Sequence, residues 1–154
     1  MSHFEPDADF IGRVTRRLEG WLVDDDAEAT AELLPLQEGT EQDAPLVAVG
    51  VHCGRYLSLL MESAARTHSR VVGIDTFQFK DLDSVTAGLT ALVPDLMPEL
   101  SLHAGSSREF TPESLLGMLG RPARFISVDG SHDSADVLHD LRLADAALAP
   151  GGPR

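Results

Sequence analysis

The sequence predicts an α/β fold in which a parallel sheet of about four strands carries helices on both faces. From residue 45 onward, short apolar runs alternate with longer segments that place apolar residues at helical spacing. Each run ends in a glycine or a polar residue, as at positions 50, 75, 105 and 129. Alternating strands and helices with right-handed crossovers require a parallel sheet that is covered on both faces.

Length and composition limit the classes of function. The 154 residues suffice for one domain but are few for a complete doubly wound enzyme. A net charge of -13 repels phosphate backbones and anionic lipid, so we expect no nucleic acid and no membrane surface as a partner. The single cysteine, Cys53, excludes an internal disulfide and a multi-cysteine zinc site. Because we find no leader peptide and no long apolar run, we expect a cytoplasmic location.

The first 44 residues are predicted to be a helical segment that precedes the main domain at 45–154. Apolar residues at helical spacing, among them Ile11, Val14 and Leu18, predict an amphipathic helix over about 8–22. The acidic run at 24–26 starts a second helix, roughly 26–34, which we expect Pro35 to end. We interpret this run as a helix cap and solvated charge rather than a metal site.

The first two strands carry a pattern typical of nucleotide sites. A strand over about 46–51 enters a glycine turn between Gly50 and Gly54, and a helix follows over about 54–67. The second strand, about 70–75, ends in Asp75. Such a turn suits a polar or anionic group at a helix N-terminus, and the carboxylate suits both ribose hydroxyls. The alternative is a plain strand–helix connection, with Asp75 capping the turn before Thr76.

The rest of the chain continues the alternation. The Thr111-Pro112-Glu113 sequence places a hydroxyl at the N-cap, a proline at the first helical position and an acid in the first turn. We expect the last helix to bury a face made of Val137, Leu141, Ala144 and Leu148. The predicted elements are a helix near 83–93, a strand over 100–104, a helix to about 119, a strand over 124–128 and a helix over 134–148.

Two later strand ends also carry polar side chains. Ser106 and Ser107 follow the third strand, where an adenine would lie if Asp75 holds the ribose, although they also suit backbone capping. After the fourth strand, Asp129 and His132 have the chemistry to bind a divalent cation or to position a substrate proton. In the alternative reading, Asp133 or Ser134 caps the last helix and His132 is solvated. Both readings are compatible, because different residues serve them.

In its glycine turn and in the polar residues at its strand ends, the chain resembles the class I S-adenosylmethionine-dependent methyltransferases, whose sheet is Rossmann-like. The resemblance is strongest to the bacterial branch that contains macrocin O-methyltransferase and cephalosporin hydroxylase-like proteins. It covers about residue 45 to the end. The segments that carry it are VAVGVHCGR at 47–55, VVGIDTF at 71–77, AGSS at 104–107, FISVDGSH at 125–132 and DLRLADAALAPGG at 140–152.

The resemblance implies a cofactor, a reaction and a set of site residues. S-adenosylmethionine would be the methyl donor, and a hydroxyl of a small metabolite or sugar would be the acceptor. Asp129 would face the reacting centre and is the matching candidate for a magnesium ligand, so Mg²⁺ is a second cofactor to consider. His132 would orient or deprotonate the acceptor. The implied cofactor-binding residues are Gly50, His52, Gly54, Asp75, Thr76, Ser106, Ser107 and Asp129.

Two departures from the family pattern suggest alternatives. Ala48 stands where the family usually has an acidic residue, and we expect the family's fifth strand, with its paired acids, to be missing after Arg154. The fourth strand would then be an open sheet edge, which favours association such as a homodimer. A second hypothesis is therefore a non-catalytic module that binds the cofactor or a partner. A third, a nicotinamide-binding fragment, is disfavoured by the glycine spacing.

Overall fold

A four-stranded parallel sheet organises the computed structural model, which describes residues 9–20, 22, 24–37 and 43–150. Two 3-10 turns, Pro94–Glu99 and Ser107–Glu109, lie on either side of the third strand. The helices and strands in chain order are α1 Phe10–Arg17, α2 Asp24–Gln37, β1 Leu46–Val49, α3 Arg55–Thr67, β2 Val71–Asp75, α4 Leu82–Leu92, β3 Leu100–Ala104, α5 Pro112–Leu119, β4 Phe125–Val128 and α6 Ser134–Ala147.

The strand order β3-β2-β1-β4 confirms the predicted α/β, Rossmann-like sheet. Val47 pairs with Val72 on one side and with Ile126 on the other, so β1 is central. The chain first builds outward through β2 and β3, and then crosses back to place β4 on the opposite side of β1. This reversal makes the carboxyl ends of β1 and β4 the switch point, where open α/β sheets bind their ligands.

Helices cover both faces because β1 is apolar on both sides. All four of its residues are buried. Leu46 and Ala48 belong to a cluster formed with α1, α2, α3 and α4, whereas Val47 and Val49 belong to a second cluster with α5 and α6. The N-terminal helices therefore share a core with α3. None of the helices in the described residues combines the length and apolar character needed to cross a lipid bilayer.

The N-terminal helices differ from the sequence-based boundaries. Helix α1 ends at Arg17, well before the predicted residue 22, and part of that predicted range (8, 21) lies outside the described residues. Helix α2 runs through Pro35 to Gln37, so the prediction that Pro35 ends it was wrong. Proline inside a helix costs about 3 kcal/mol. The neighbouring Leu34 is almost completely buried, and its burial offsets part of that cost.

The buried face of α6 is shifted from the predicted one. Its buried residues are Asp140, Leu143, Ala144 and Ala147, whereas Leu141 is 53% exposed. The small side chains of Ala144 and Ala147 allow close packing against the sheet. Their positions determine how the helix is rotated about its own axis. Leu148 lies just after the helix. It forms a parallel β-bridge with Ala123, which precedes β4.

Gly50 is required where the turns after β1 and β4 meet. Its φ is +94°, and a β-carbon there would lie 2.1 Å from the carbonyl oxygen of Asp129. We expect Gly50→Ala to lower the free energy of unfolding by more than about 3 kcal/mol, since it adds backbone strain to a clash with main-chain atoms. Urea denaturation followed by circular dichroism measures this.

Gly117 is the matched control for that substitution. It lies within α5, and a β-carbon there would meet nothing within 4 Å. Gly117→Ala should therefore raise stability by about 0.5–1 kcal/mol. Equal effects of the two substitutions would contradict the close approach of the two turns.

Candidate active site

A cavity of about 930 Å³ opens at the carboxyl edge of the sheet, at the switch point between β1 and β4. It brings together residues that are far apart in the sequence, because the carboxyl ends of parallel strands meet at one edge. The predicted site residues that line it are Gly50, His52, Asp75, Thr76, Ser106, Ser107, Asp129 and His132.

Gly54, in contrast, is not among the residues that line the cavity. It is buried at the N-cap of α3 with φ +95°, and a β-carbon there would lie 3.0 Å from Cδ2 of Leu89 on α4. Its requirement for glycine thus comes from the turn and from helix packing. The expected contact between Gly54 and a cofactor stays a prediction.

Asp75 anchors the turn after β1. Its Oδ2 accepts hydrogen bonds from the backbone N–H groups of Val51 (2.7 Å) and His52 (2.9 Å). Its Oδ1 accepts from the N–H of Phe77 at 2.8 Å. The two bonds on Oδ2 tie the glycine turn to the end of β2. They also stabilise His52, which has a left-handed backbone with φ +52°.

These bonds limit what Asp75 can offer a ligand. A carboxylate accepts about four hydrogen bonds, and three of these positions are already occupied by backbone donors. The remaining position suits one ribose hydroxyl, whereas the sequence suggested a grip on both. The alternative reading of Asp75, as a residue that caps the turn, is thus part of its role.

The loop after β3 is tied to the start of α6. The side-chain oxygen of Ser106 accepts from the N–H of Arg108 at 3.2 Å. Nε2 of His139 lies 3.1 Å from the carbonyl oxygen of Ser107. Arg108 forms an ion pair with Asp136 in the first turn of α6. A hydrogen bond from Ser131 and this ion pair hold the pKa of Asp136 below its usual range.

The turn after β4 caps the last helix, as the alternative reading expected, and the roles expected of Asp129 and His132 stay predictions. Asp133 caps α6, and its Oδ1 accepts from the N–H groups of Ala135 (2.9 Å) and Asp136 (3.4 Å). Asp129 and His132 both line the cavity and are exposed. Capping and cavity lining are therefore divided between different residues of one turn.

The described residues do not assemble a metal site around Asp129. No group of three or more histidine, cysteine, aspartate or glutamate side chains converges anywhere in the described ranges. Mg²⁺ demands near-octahedral oxygen coordination. The described side chains around Asp129 do not supply such a set of oxygen ligands, so we assign no chemical step to a metal ion.

Comparison with known proteins identifies the family. Residues 47–153 match the family described as "Methyltransferase domain". The chain belongs to this family. Its sheet is that of a class I methyltransferase, and family membership implies S-adenosylmethionine as the cofactor. Among curated proteins, no sequence matches the chain.

Solved structures show the same fold at low sequence identity. A putative O-methyltransferase from Klebsiella pneumoniae superposes with a TM-score of 0.65 and 16% identity over 97% of this chain. CalS11, a TDP-rhamnose 3'-O-methyltransferase in calicheamicin biosynthesis, superposes with a TM-score of 0.62 and 17% identity over 99% of this chain. The chain spans 64% of the Klebsiella protein and 78% of CalS11.

Sequence reasoning missed one wall of the methyltransferase cavity. Gly20, Leu22 and Asp26 line it from the segment between α1 and α2 and from α2 itself. Arg55 and Tyr56, at the start of α3, lie beside them. Only the position of Arg55, directly after the glycine turn, could have drawn attention to this wall.

Arg55 connects this N-terminal wall of the cavity to helix α3 through hydrogen bonds. Its guanidinium donates to the backbone carbonyls of Thr15 (2.6 Å), Leu18 and Leu22 (3.0 Å). These carbonyls belong to the last turn of α1 and the segment after it. One side chain therefore satisfies backbone acceptors that a helix end leaves without intrahelical partners.

Burial keeps two ionisable groups of the cavity neutral. It raises the pKa of the Cys53 thiol, which supports a packing role rather than a nucleophilic one. It also raises the pKa of the Tyr56 phenol, and the nearby Asp129 carboxylate adds to this shift. Tyr56 is therefore a neutral hydroxyl at physiological pH.

We expect Asp75→Ala to destabilise the methyltransferase domain in the absence of any ligand. Three backbone donors would lose a charged acceptor, which should lower the free energy of unfolding by at least about 2 kcal/mol. Thr76→Ala is the control, because it removes a neighbouring cavity side chain and should change stability by less than about 0.5 kcal/mol. If Asp75→Ala unfolds with the wild-type free energy in the absence of ligand, Asp75 does not anchor the turn after β1.

Removal of Arg55 should loosen the N-terminal wall. Arg55→Ala is expected to cost about 2 kcal/mol of stability and to speed proteolytic cleavage between residues 15 and 22. Arg55→Lys should not restore protection, because a single ammonium cannot reproduce the guanidinium fork. The control is Arg70→Ala, which removes an exposed arginine with one long hydrogen bond of 3.4 Å. If Arg55→Ala is cleaved at the wild-type rate, the hydrogen bonds of Arg55 do not hold the N-terminal segment in place.

Proposed function

We propose that this chain is the cofactor-binding part of an S-adenosylmethionine-dependent methyltransferase that acts on a hydroxyl of a small metabolite or sugar. The observation that carries the proposal is the cavity at the switch point, which is lined by residues from the ends of all four strands. Its volume of about 930 Å³ is large enough for a nucleoside-sized cofactor together with a small acceptor.

The cofactor would lie across the strand ends. Gly50 and His52 are proposed to line its methionine portion, because they form the turn directly after β1. Asp75 would accept one ribose hydroxyl through its remaining position, with Thr76 beside it. Ser106 and Ser107, at the end of β3, would flank the adenine. When bound, S-adenosylmethionine supplies an electrophilic methyl group on a sulfonium.

Asp129 and His132 are proposed to serve the acceptor. A ring nitrogen of His132 would take the hydroxyl proton as the oxygen gains the methyl group, and Asp129 would orient the hydroxyl. General-base help of this kind contributes typically 10²–10⁴-fold in rate. Holding the hydroxyl in line with the methyl group contributes more, since displacement depends mainly on positioning.

A second candidate is a module that binds the cofactor or a partner without catalysis. Two observations favour it. Ala48, in the place of the family's acidic residue, is completely buried within the apolar core. All four residues of β4 are half-exposed, as expected of a strand at the sheet edge. That edge would suit a second copy of the chain.

Titration calorimetry tests the proposed function. We expect S-adenosylmethionine and S-adenosylhomocysteine to bind to the folded chain and NAD not to bind. The binding should weaken at least about tenfold in Asp75→Glu, because the longer carboxylate displaces the anchored turn. A folded wild-type chain that binds neither methyl cofactor would falsify the proposal.

Turnover separates the two candidates. Methyl transfer from labelled S-adenosylmethionine to a pool of small hydroxyl compounds is expected for the enzyme and not for the binding module. His132→Ala should lower this transfer about 100-fold or more. The control is His103→Ala, which alters a histidine on β3 outside the cavity lining.

A further inference from the structure

Helix α6 buries a carboxylate that the proposed reaction does not use. The Asp140 residue is 1% exposed, and its Oδ1 has no hydrogen-bond partner among the described residues. Because burial of a carboxylate without a partner is strongly unfavourable, such a group needs an explanation. Asp136, one turn earlier on the same helix, differs in that it lines the cavity and forms an ion pair with Arg108. Asp140 is not among the residues that line the cavity, so its partner belongs to the protein or is a water molecule.

The Asp140 carboxylate faces the turn after β4. Its Oδ2 lies 3.7 Å from the position that a β-carbon on Gly130 would take. Cγ1 of Val49 lies 3.6 Å from the same position, and the backbone nitrogen of Gly50 lies 3.9 Å from it. These are ordinary contact distances for a methyl group. The missing side chain of Gly130 thus leaves room for one methyl group or one water molecule, with a carboxylate oxygen at its border.

The same turn contains backbone donors. The N–H of Asp129 donates to the carbonyl oxygen of Val49 at 2.8 Å, and the N–H of Asp133 donates to the hydroxyl of Ser131 at 3.0 Å. The N–H groups of residues 130–132, between these two, have no acceptor within the part of the chain that the structure describes. A carboxylate that lacks donors therefore lies beside N–H groups that lack acceptors.

We propose that Asp140 is a positioning residue, which holds the turn after β4 through one water molecule in the space beside Gly130. The water donates to the Asp140 carboxylate and accepts from a backbone N–H of residues 130–132. Polar groups separated by more than a direct hydrogen bond are commonly joined in this way, at little cost in enthalpy. The water bridge would fix Asp129 and His132 relative to α6. Its consequence for catalysis rests on the proposed methyltransferase function, in which His132 takes the proton of the acceptor.

A packing role for Asp140 leads to different expectations. Leucine branches at the same atom as aspartate, and replacing a buried charge by an apolar side chain is often neutral or stabilising. Asp140→Leu should therefore keep the midpoint of urea denaturation at or above the wild-type value, yet lose the water bridge. Asp140→Asn keeps a side-chain oxygen as an acceptor, so it should retain the bridge. If Asp140 only fills space, neither substitution should affect the turn.

Nuclear Overhauser effects between bound water and the amide protons of residues 130–132 test the proposal in the ligand-free protein. We expect such a contact in the wild type and in Asp140→Asn, and its loss in Asp140→Leu. Gly130→Ala should also lose it, because the methyl group takes the place of the water without a change in charge. Asp145→Leu is the matched control, since it makes the same substitution at an exposed position in the last turn of α6. This control should keep the contact.

Kinetics separate positioning from cofactor binding. In Asp140→Leu, kcat for methyl transfer should fall about tenfold or more, while the KM for S-adenosylmethionine changes less than about twofold. Asp140→Asn should restore most of the rate.

The inference is overturned if the wild type shows no bound water at these amides, or if Asp140→Leu or Gly130→Ala retains it. An unchanged kcat in Asp140→Leu also overturns it. If Asp140→Leu does not fold, Gly130→Ala decides by the same two measurements. A wild type without turnover counts against the proposed function instead, and the water contacts then decide on the bridge by themselves.

Discussion

The contact between the Asp75 carboxylate and the N–H groups of Val51 and His52 determines the shape of the site. It fixes the turn after β1 against the end of β2. Because that turn also meets the carbonyl of Asp129 through Gly50, the ends of three strands are held together. A backbone N–H that loses its acceptor away from water costs about 1–3 kcal/mol, so loss of the Asp75 carboxylate would destabilise the turn.

The strands and their ends were predictable because β1 and the buried part of β2 are apolar on both faces. Such strands give continuous apolar runs whose limits are visible in the sequence. Capping residues also act locally, which is why the start of α5 at Thr111 and of α6 at Asp133 could be predicted. Most of the candidate site followed, since its residues occupy the ends of those strands.

Features that depend on contacts between distant parts of the chain were not predictable. The persistence of α2 through Pro35 depends on packing of the adjacent Leu34, and the rotation of α6 depends on the fit of Ala144 and Ala147 to the sheet. The N-terminal wall depends on Arg55, whose partners lie 33 to 40 residues earlier in the chain. No local pattern encodes these contacts.

The ties between the loop after β3 and helix α6 have a mechanical consequence. Arg108 with Asp136, and His139 with the carbonyl of Ser107, join the wall proposed for adenine to the helix that follows His132. The wall proposed for adenine and the turn that carries His132 are therefore connected through the first turns of α6 and are not independent loops.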